Sequence, residues 1–552
     1  MKMKTLPTIF IILIGLVMVD AVTFAESHDS PTAAYYDTGG FHQNISTDSE
    51  AAQVWFDRGL AMCYGFNHEE AIRCFQRALA EDPGMAMALW GMAYAWGPNI
   101  NNMLVESHQM AQAELAIRLA GLHAAKAPQL QRDLIAALAH RYAMPVPEDR
   151  EPLNRAYAKA MRKVHGDHSD DPMVIALFAE SLMNLQPWRH WSPDGQPGPE
   201  TLEIVAVLEA GLRRWPEHPA LCHLYIHTME ASPTPEKALP PANRLRVAMP
   251  GVGHLIHMPT HIDVVLGDYQ SVIASNQQAI VADAEFLRRE GAHNFYTYYR
   301  IHNYHFLVYG AMFDGQSELA LRTALELVQQ VPEDMLKEQT DFLDAFIPTA
   351  LHVLVRFGRW DDILAEPEPA EYLPVTRSLW HYARALAYAS TGKIAHAEQE
   401  QKSFDEVRET VPDTSFLFQN ASQHLLGVAE AMIAGEIAYR KGKFEVAFEH
   451  LREAVRRDDT LNYDEPWGWM QPARHALGAL LLEQKQYAES EAVYRADLER
   501  HPNNPWALHG LAECLGEQGK ESESAKYGAE FREAIKRADV KVDRSCYCRL
   551  DD

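Results

Sequence analysis

Between Gln53 and Pro83 the apolar and small positions recur three, four and seven residues apart, the spacing that stacks side chains on one face of a helix. Gly59 lies in one such run; Ala71, Phe75 and Ala78 lie in a second, which Pro83 ends. The pattern predicts two antiparallel helices in close contact. The frame returns near the C-terminus with Gly435, Phe444, Ala447, Leu451 and Ala454, and again with Gly478, Tyr487, Ser490, Tyr494 and Pro502. In the centre it is weaker: Ala238 and Pro250 repeat the separation of Ala71 and Pro83, followed by Gly267, Tyr269 and Ala279, then Gly315 and Ala320, then Gly358, Trp360 and Ile363. Pro240 and Pro241 interrupt the second helix expected in the first central unit, which leaves its register the least defined.

A small residue where two helices cross, an aromatic reaching the next pair and a closing proline describe a hairpin of roughly 34 residues, and the chain resembles tetratricopeptide repeat (TPR) proteins. The resemblance implies an all-α, right-handed solenoid of antiparallel hairpins with a concave groove lined by the first helix of each. Four strings, Phe66-Asn67-His68-Glu69-Glu70-Ala71, Gly97-Pro98-Asn99-Ile100-Asn101, His257-Met258-Pro259-Thr260-His261 and Asp464-Glu465-Pro466-Trp467, resemble a group of large exported bacterial TPR proteins. That likeness implies the fold and assigns no catalytic residue.

Four positions of each first helix, 18, 15, 11 and 8 residues before the position of Ala71, share the groove face. Centrally they are Ala220, His223, His227 and Glu230; His254, His257, His261 and Val264; and His302, His305, Tyr309 and Met312. Seven of these twelve are histidine, whereas random placement of 26 histidines over 552 residues would supply fewer than one. The same positions in the two C-terminal repeats and the N-terminal one hold a single histidine, His475. His352 occupies a matching position in a fourth central unit and extends the row.

Neutral imidazoles and carboxylates hold zinc, copper or iron, and helix positions three or four apart present two donors to one ion. His223, His227, Glu230, His254, His257, His261, His302 and His305 are therefore candidate metal ligands, with Tyr309 and His352 as further groove residues. Eight donors exceed the need of one zinc, so two ions fit the count. Binding is expected to weaken below about pH 6, where free imidazole gains a proton. Taken singly, a groove histidine is more often a polar surface residue than a ligand; seven in register change that. His68 falls in an inter-helix turn, and the tyrosines around His302 read mainly as packing. The loop Gln186 to Gly195, with Trp188 and Trp191, reads equally as a lid or as a surface loop pinned by aromatics. Asp464, Glu465, Arg474 and His475 read either as substrate contacts or as an exposed acidic turn before a helix.

Two function classes follow. One is a metalloprotein, including a metalloenzyme with Glu230 or Tyr309 handling protons; the other is a scaffold whose groove takes a peptide or protein partner without catalysis. The zinc-peptidase string His-Glu-x-x-His, a phosphate-binding glycine loop and a Gly-x-Ser-x-Gly nucleophile are all missing from the sequence. The net charge of −26 argues against nucleic-acid binding.

Residues 1–25 carry Lys2 and Lys4, an apolar run from Ile9 to Val19 and Thr23-Phe24-Ala25, the layout of a secretory signal peptide. A periplasmic or secreted protein beginning at Glu26, with no stable membrane span, is expected. The remaining segments divide into a linker or cap at 26–50, helical repeats at 51–218, histidine-rich repeats at 219–365, C-terminal repeats at 366–545 and a tail at 546–552. In an exported chain Cys63 and Cys74 are positioned to pair across one hairpin, while Cys546 and Cys548 in the tail read as metal ligands or free thiols.

Overall fold

The computed structural model describes residues 35–550, so the signal segment at 1–25 and residues 26–34 of the expected linker lie outside the described residues. The regular elements of the described chain are helices apart from one pair of two-residue strands, Phe416–Leu417 against Asn420–Ala421. Helices Glu50–Tyr64 and His68–Glu81 form the first hairpin. Asn67 caps the second of these helices by accepting the Glu70 N–H, and Glu69 and Glu70 place negative charge at its N-terminus. Phe75 is fully buried, with Gly59 on one side and Gly91 of the next helix on the other; a methyl group on either glycine would sit 2.6 Å from its ring. Tyr494 repeats the arrangement between Gly478 and Gly510. Glycine is thus required by close approach of helix to aromatic. Gly59→Ala is expected to destabilise the first hairpin by about 1–3 kcal/mol from overpacking, despite the gain in helix propensity, and urea unfolding measures the change.

Two prolines that interrupt the sequence pattern do not break a helix. Pro240 and Pro241 lie in the first turn of Leu239–Ala248, where a missing N–H costs nothing. Pro259 likewise opens the segment Pro259–Leu266, immediately after Gly253–His257. Cys63 and Cys74 stay as separate thiols; the Cys74 Sγ lies 3.7 Å from a Glu70 oxygen. Cys546 and Cys548 are instead joined to each other, which corrects both cysteine expectations.

The hairpins wind far enough that distant repeats touch. Tyr269 donates to the Pro502 carbonyl at 3.0 Å, the Trp506 indole donates to the Met312 carbonyl at 3.2 Å, and Asp539 accepts the backbone N–H groups of Ser317 and Glu318. On the other side the Phe295 N–H reaches Glu69 at 3.3 Å, and the Gly251 N–H reaches the Asp37 carbonyl at 2.7 Å. Sequence-distant segments therefore wall in the inner face of the central repeats. That face is a buried interior where an open groove was expected.

Candidate metal centre

His223 and His227 stand on Pro219–Met229, with Glu230 as its C-terminal cap residue. His254 and His257 stand on Gly253–His257, His261 on Pro259–Leu266, and His302 on Tyr296–Phe313. His223, His227, His254, His257, His261 and Glu230 are each at most 4% exposed, and His302 is half-buried. Donor atoms of His223, His227 and His254 lie within 4.8 Å of one another, and so do those of His257, His261 and His302 and those of His227, Glu230 and His261. Six of the seven histidines in register thus converge with Glu230.

Hydrogen bonds orient the rings. The His223 Nδ1–H donates to the Tyr64 carbonyl at 2.7 Å, leaving Nε2 without a hydrogen-bond partner among the described residues. Asn276 gives its amide N–H to the Val272 carbonyl, so its oxygen faces His257 and accepts the Nδ1–H at 2.7 Å. Glu230 meets His227 Nδ1 at 3.1 Å through one oxygen and His261 Nδ1 at 2.7 Å through the other. The His257 and His261 Nε2 atoms lie 2.8 Å apart; with Glu230 ionised and accepting the His261 Nδ1–H, both carry lone pairs. Two lone pairs at that distance repel unless a cation lies between them or beside them.

Burial determines the charge state. It pushes His227 and His257 down to about 3, and it drives His223, His254, His261 and His302 well below the ordinary imidazole range, with neighbouring histidines adding to the shift. Six neutral imidazoles are six available donors. Burial raises the Glu230 carboxyl well above the usual range, partly offset by a hydrogen bond with Glu465; burial and the Glu230 charge raise Glu465 in turn. Glu465 Oε2 also lies 3.3 Å from His261 Nδ1. This residue is 4% exposed, so of the two readings of the acidic turn the exposed one does not hold, and Glu465 lies beside the cluster.

Three aromatic residues in left-handed backbone conformations enclose the cluster. Phe66 (φ 54°) packs 4.7 Å from His223, 5.3 Å from His254 and 6.0 Å from His227. Trp188 (φ 60°) stands edge-on to His227 at 5.6 Å, its indole N–H bound to the Ile100 carbonyl. Phe418 (φ 46°), at the strand turn, covers His302 at 5.1 Å. A bulky residue at positive φ is a strained outlier, and strain of this kind collects at functional sites. At the turn position of Phe66 later hairpins carry Gly267, Gly315, Gly358 and Gly442, and in one case Lys485, all with positive φ, so an aromatic ring stands where the backbone favours glycine. Trp191 donates to the Thr228 carbonyl at 2.7 Å, fastening the Trp188 loop to the helix of His227.

Three candidates lie outside the convergence. His305 faces Phe346 and Phe418 at 5.4 and 6.3 Å. His352 stands edge-on to Trp469 at 5.3 Å. Tyr309 stacks on Phe313 at 4.4 Å and Trp467 at 5.8 Å, as a core residue. His68 binds the Ala95 carbonyl at 2.9 Å, in line with a turn role. The positions missed by sequence spacing are Glu465, Phe66, Trp188 and Phe418; two of them lie in the familiar strings.

The hairpin repeats and their packed inner face define an α-solenoid repeat protein. Residues 52–85 match the tetratricopeptide repeat family model, so the first hairpin is a TPR-type repeat. Among solved structures, the human IFIT1 dimer with m7Gppp-AAAA is similar at 13% identity over 90% of this chain and 92% of that one, with a TM-score of 0.32. Ypp1 is similar at 9% identity over 91% and 78%, with a TM-score of 0.44. No curated protein matches the chain. Among the described residues no helix is long and apolar enough to cross a membrane.

Proposed function

We propose that this protein is an exported metalloprotein that holds a transition metal, zinc, copper or iron, in the closed inner face of its central TPR hairpins. The reading rests above all on the His257 and His261 Nε2 atoms, 2.8 Å apart, with both Nδ1 positions engaged elsewhere. Metal-bound histidines characteristically donate their other ring N–H to a carbonyl or carboxylate. That is the arrangement of His223 on Tyr64, His257 on Asn276, and His227 and His261 on Glu230. The donor set lacks thiolate, so it favours ions that accept imidazole.

TPR folds are in general scaffolds for protein interaction. A peptide lying along the histidine-bearing face would have to displace Phe66, Trp188 and Phe418, so the partner reading applies to other surfaces of this solenoid. Metal analysis of tag-free protein purified from its native compartment is expected to find at least one transition ion per chain. Protein that carries none, and takes up neither zinc(II) nor copper(II) on reconstitution, overturns the metal reading and leaves a scaffold.

A further inference from the structure

We propose that the cluster is two tri-histidine centres side by side, His223 with His227 and His254, and His257 with His261 and His302, tied together by Glu230 as a shared hydrogen-bond acceptor outside both ligand sets. The inference rests on the metal reading above and extends it to the number of ions, the ligands of each and the role of the carboxylate.

The ring orientations divide the histidines. His227 presents Nδ1 to Glu230, so its Nε2, which has no hydrogen-bond partner among the described residues, is the atom available beside His223 Nε2. Neither ring nitrogen of His254 has such a partner, and this residue completes the first set. His257 and His261 likewise direct Nε2 toward each other and away from Asn276 and Glu230, and His302 completes the second. Three imidazoles with an open fourth position make a sufficient site for zinc or copper.

Glu230 belongs to neither set as a donor. Each of its oxygens is taken by an Nδ1 from a different set, and Glu465 shares a hydrogen bond with it. A carboxylate in that position orients one ring of each centre and carries negative charge between two cations. The enclosure is divided in the same way. Phe66 and Trp188 cover the first set, and Phe418 covers the second together with Phe306, which lies 4.8 Å from His257 and 5.1 Å from both His261 and His302. Across the boundary, His227 and His261 are 5.5 Å apart between ring centroids, and His254 and His257 are 5.9 Å apart. Ions in adjoining sets are therefore close enough to interact magnetically.

Copper(II) alone, titrated into metal-free, tag-free protein, tests the arrangement by stoichiometry and by electron paramagnetic resonance. Wild type should bind two equivalents, with the signal of isolated copper(II) broadened or lost at full loading. His254→Ala and His302→Ala should each bind one equivalent and show an isolated-ion spectrum, circular dichroism confirming that each stays helical. Glu230→Gln should keep two equivalents with affinity lowered about 10–100-fold, the usual consequence of removing an outer partner. One equivalent in wild type, or the loss of both ions from either histidine variant, overturns the two-centre arrangement while leaving metal binding intact. Loss of one equivalent in Glu230→Gln would make Glu230 a ligand and overturn its assigned role. No binding by any form overturns the metal reading itself.

Discussion

Addition of zinc(II) or copper(II) to the metal-free protein should raise its unfolding midpoint, and His257→Ala should abolish most of that rise. Ligand that binds only the folded chain stabilises it by about 2.7 kcal/mol at a hundredfold excess over its dissociation constant. The His257 and His261 Nε2 atoms lie 2.8 Å apart in a buried region, and a cation held by both, with Glu230 ionised, satisfies the two lone pairs at once. His257→Ala removes one donor and strands the Asn276 oxygen that had oriented it. The quantity to read is the difference between metal-loaded and metal-free midpoints, in which the loss of ring packing largely cancels. An equal metal-induced shift in wild type and variant would show that the ion binds elsewhere.

The same geometry revises the pH dependence expected of free imidazole. A buried histidine whose folded-state value lies below its unfolded value of about 6.5 contributes stability that is present above 6.5 and is lost as pH falls through the folded value. Burial holds His227 and His257 to about 3. The folded rings therefore stay unprotonated, and able to bind, well below pH 6. Acid release of a bound ion should then follow the loss of folded protein more closely than the titration of free imidazole.

The hairpin frame was legible because helix crossings demand small residues whatever the function: Gly59 and Gly91 flank Phe75, and Gly478 and Gly510 flank Tyr494. Histidine register was legible for the same reason, since a groove face is fixed by local periodicity. What periodicity cannot supply is the partner from another turn of the solenoid. Glu465 stands 235 residues from Glu230 and reads locally as a solvated acidic turn; only winding of the repeats brings it to His261. Phe66 left a subtler trace, an aromatic at a turn position that is glycine in most later hairpins and lysine in one, and the meaning of that trace depends on His223 and His254 lying beside the ring. His305 holds the register position of His257 but packs on Phe346, a neighbour that periodicity within one helix does not reveal.

Asp497→Ala should cost about 3–5 kcal/mol of stability, the range for removing one partner from a buried charged network. Asp497 is fully buried; one of its oxygens accepts from His475 Nε2 and from the Asn504 amide, both at 2.9 Å. The other nitrogen of His475 accepts from Arg356 at 2.7 Å, and Arg356 also donates to the Ser545 carbonyl at 2.6 Å, with its guanidinium 4.0 Å from the Trp506 ring. One carboxylate thereby balances a buried guanidinium through a neutral imidazole and links the C-terminal hairpins, the central repeats and the tail. Burial alone would raise Asp497, but the His475 contact, with help from His501 and Asn504, holds it at about 2. Because that value lies below the unfolded one of about 3.9, its contribution is present above pH 3.9 and is lost as pH falls through 2. Asp497→Asn keeps an acceptor and removes the charge, so it should cost about 1–3 kcal/mol, and its stability should change less than that of wild type between pH 4 and pH 2. Urea unfolding at pH 7 with both variants, alongside metal analysis, checks the prediction: the hairpins should weaken while metal content at the distant histidines is unchanged. Stability of Asp497→Ala within about 0.5 kcal/mol of wild type, the range of ordinary surface substitutions, would mean that Arg356 is satisfied without its carboxylate.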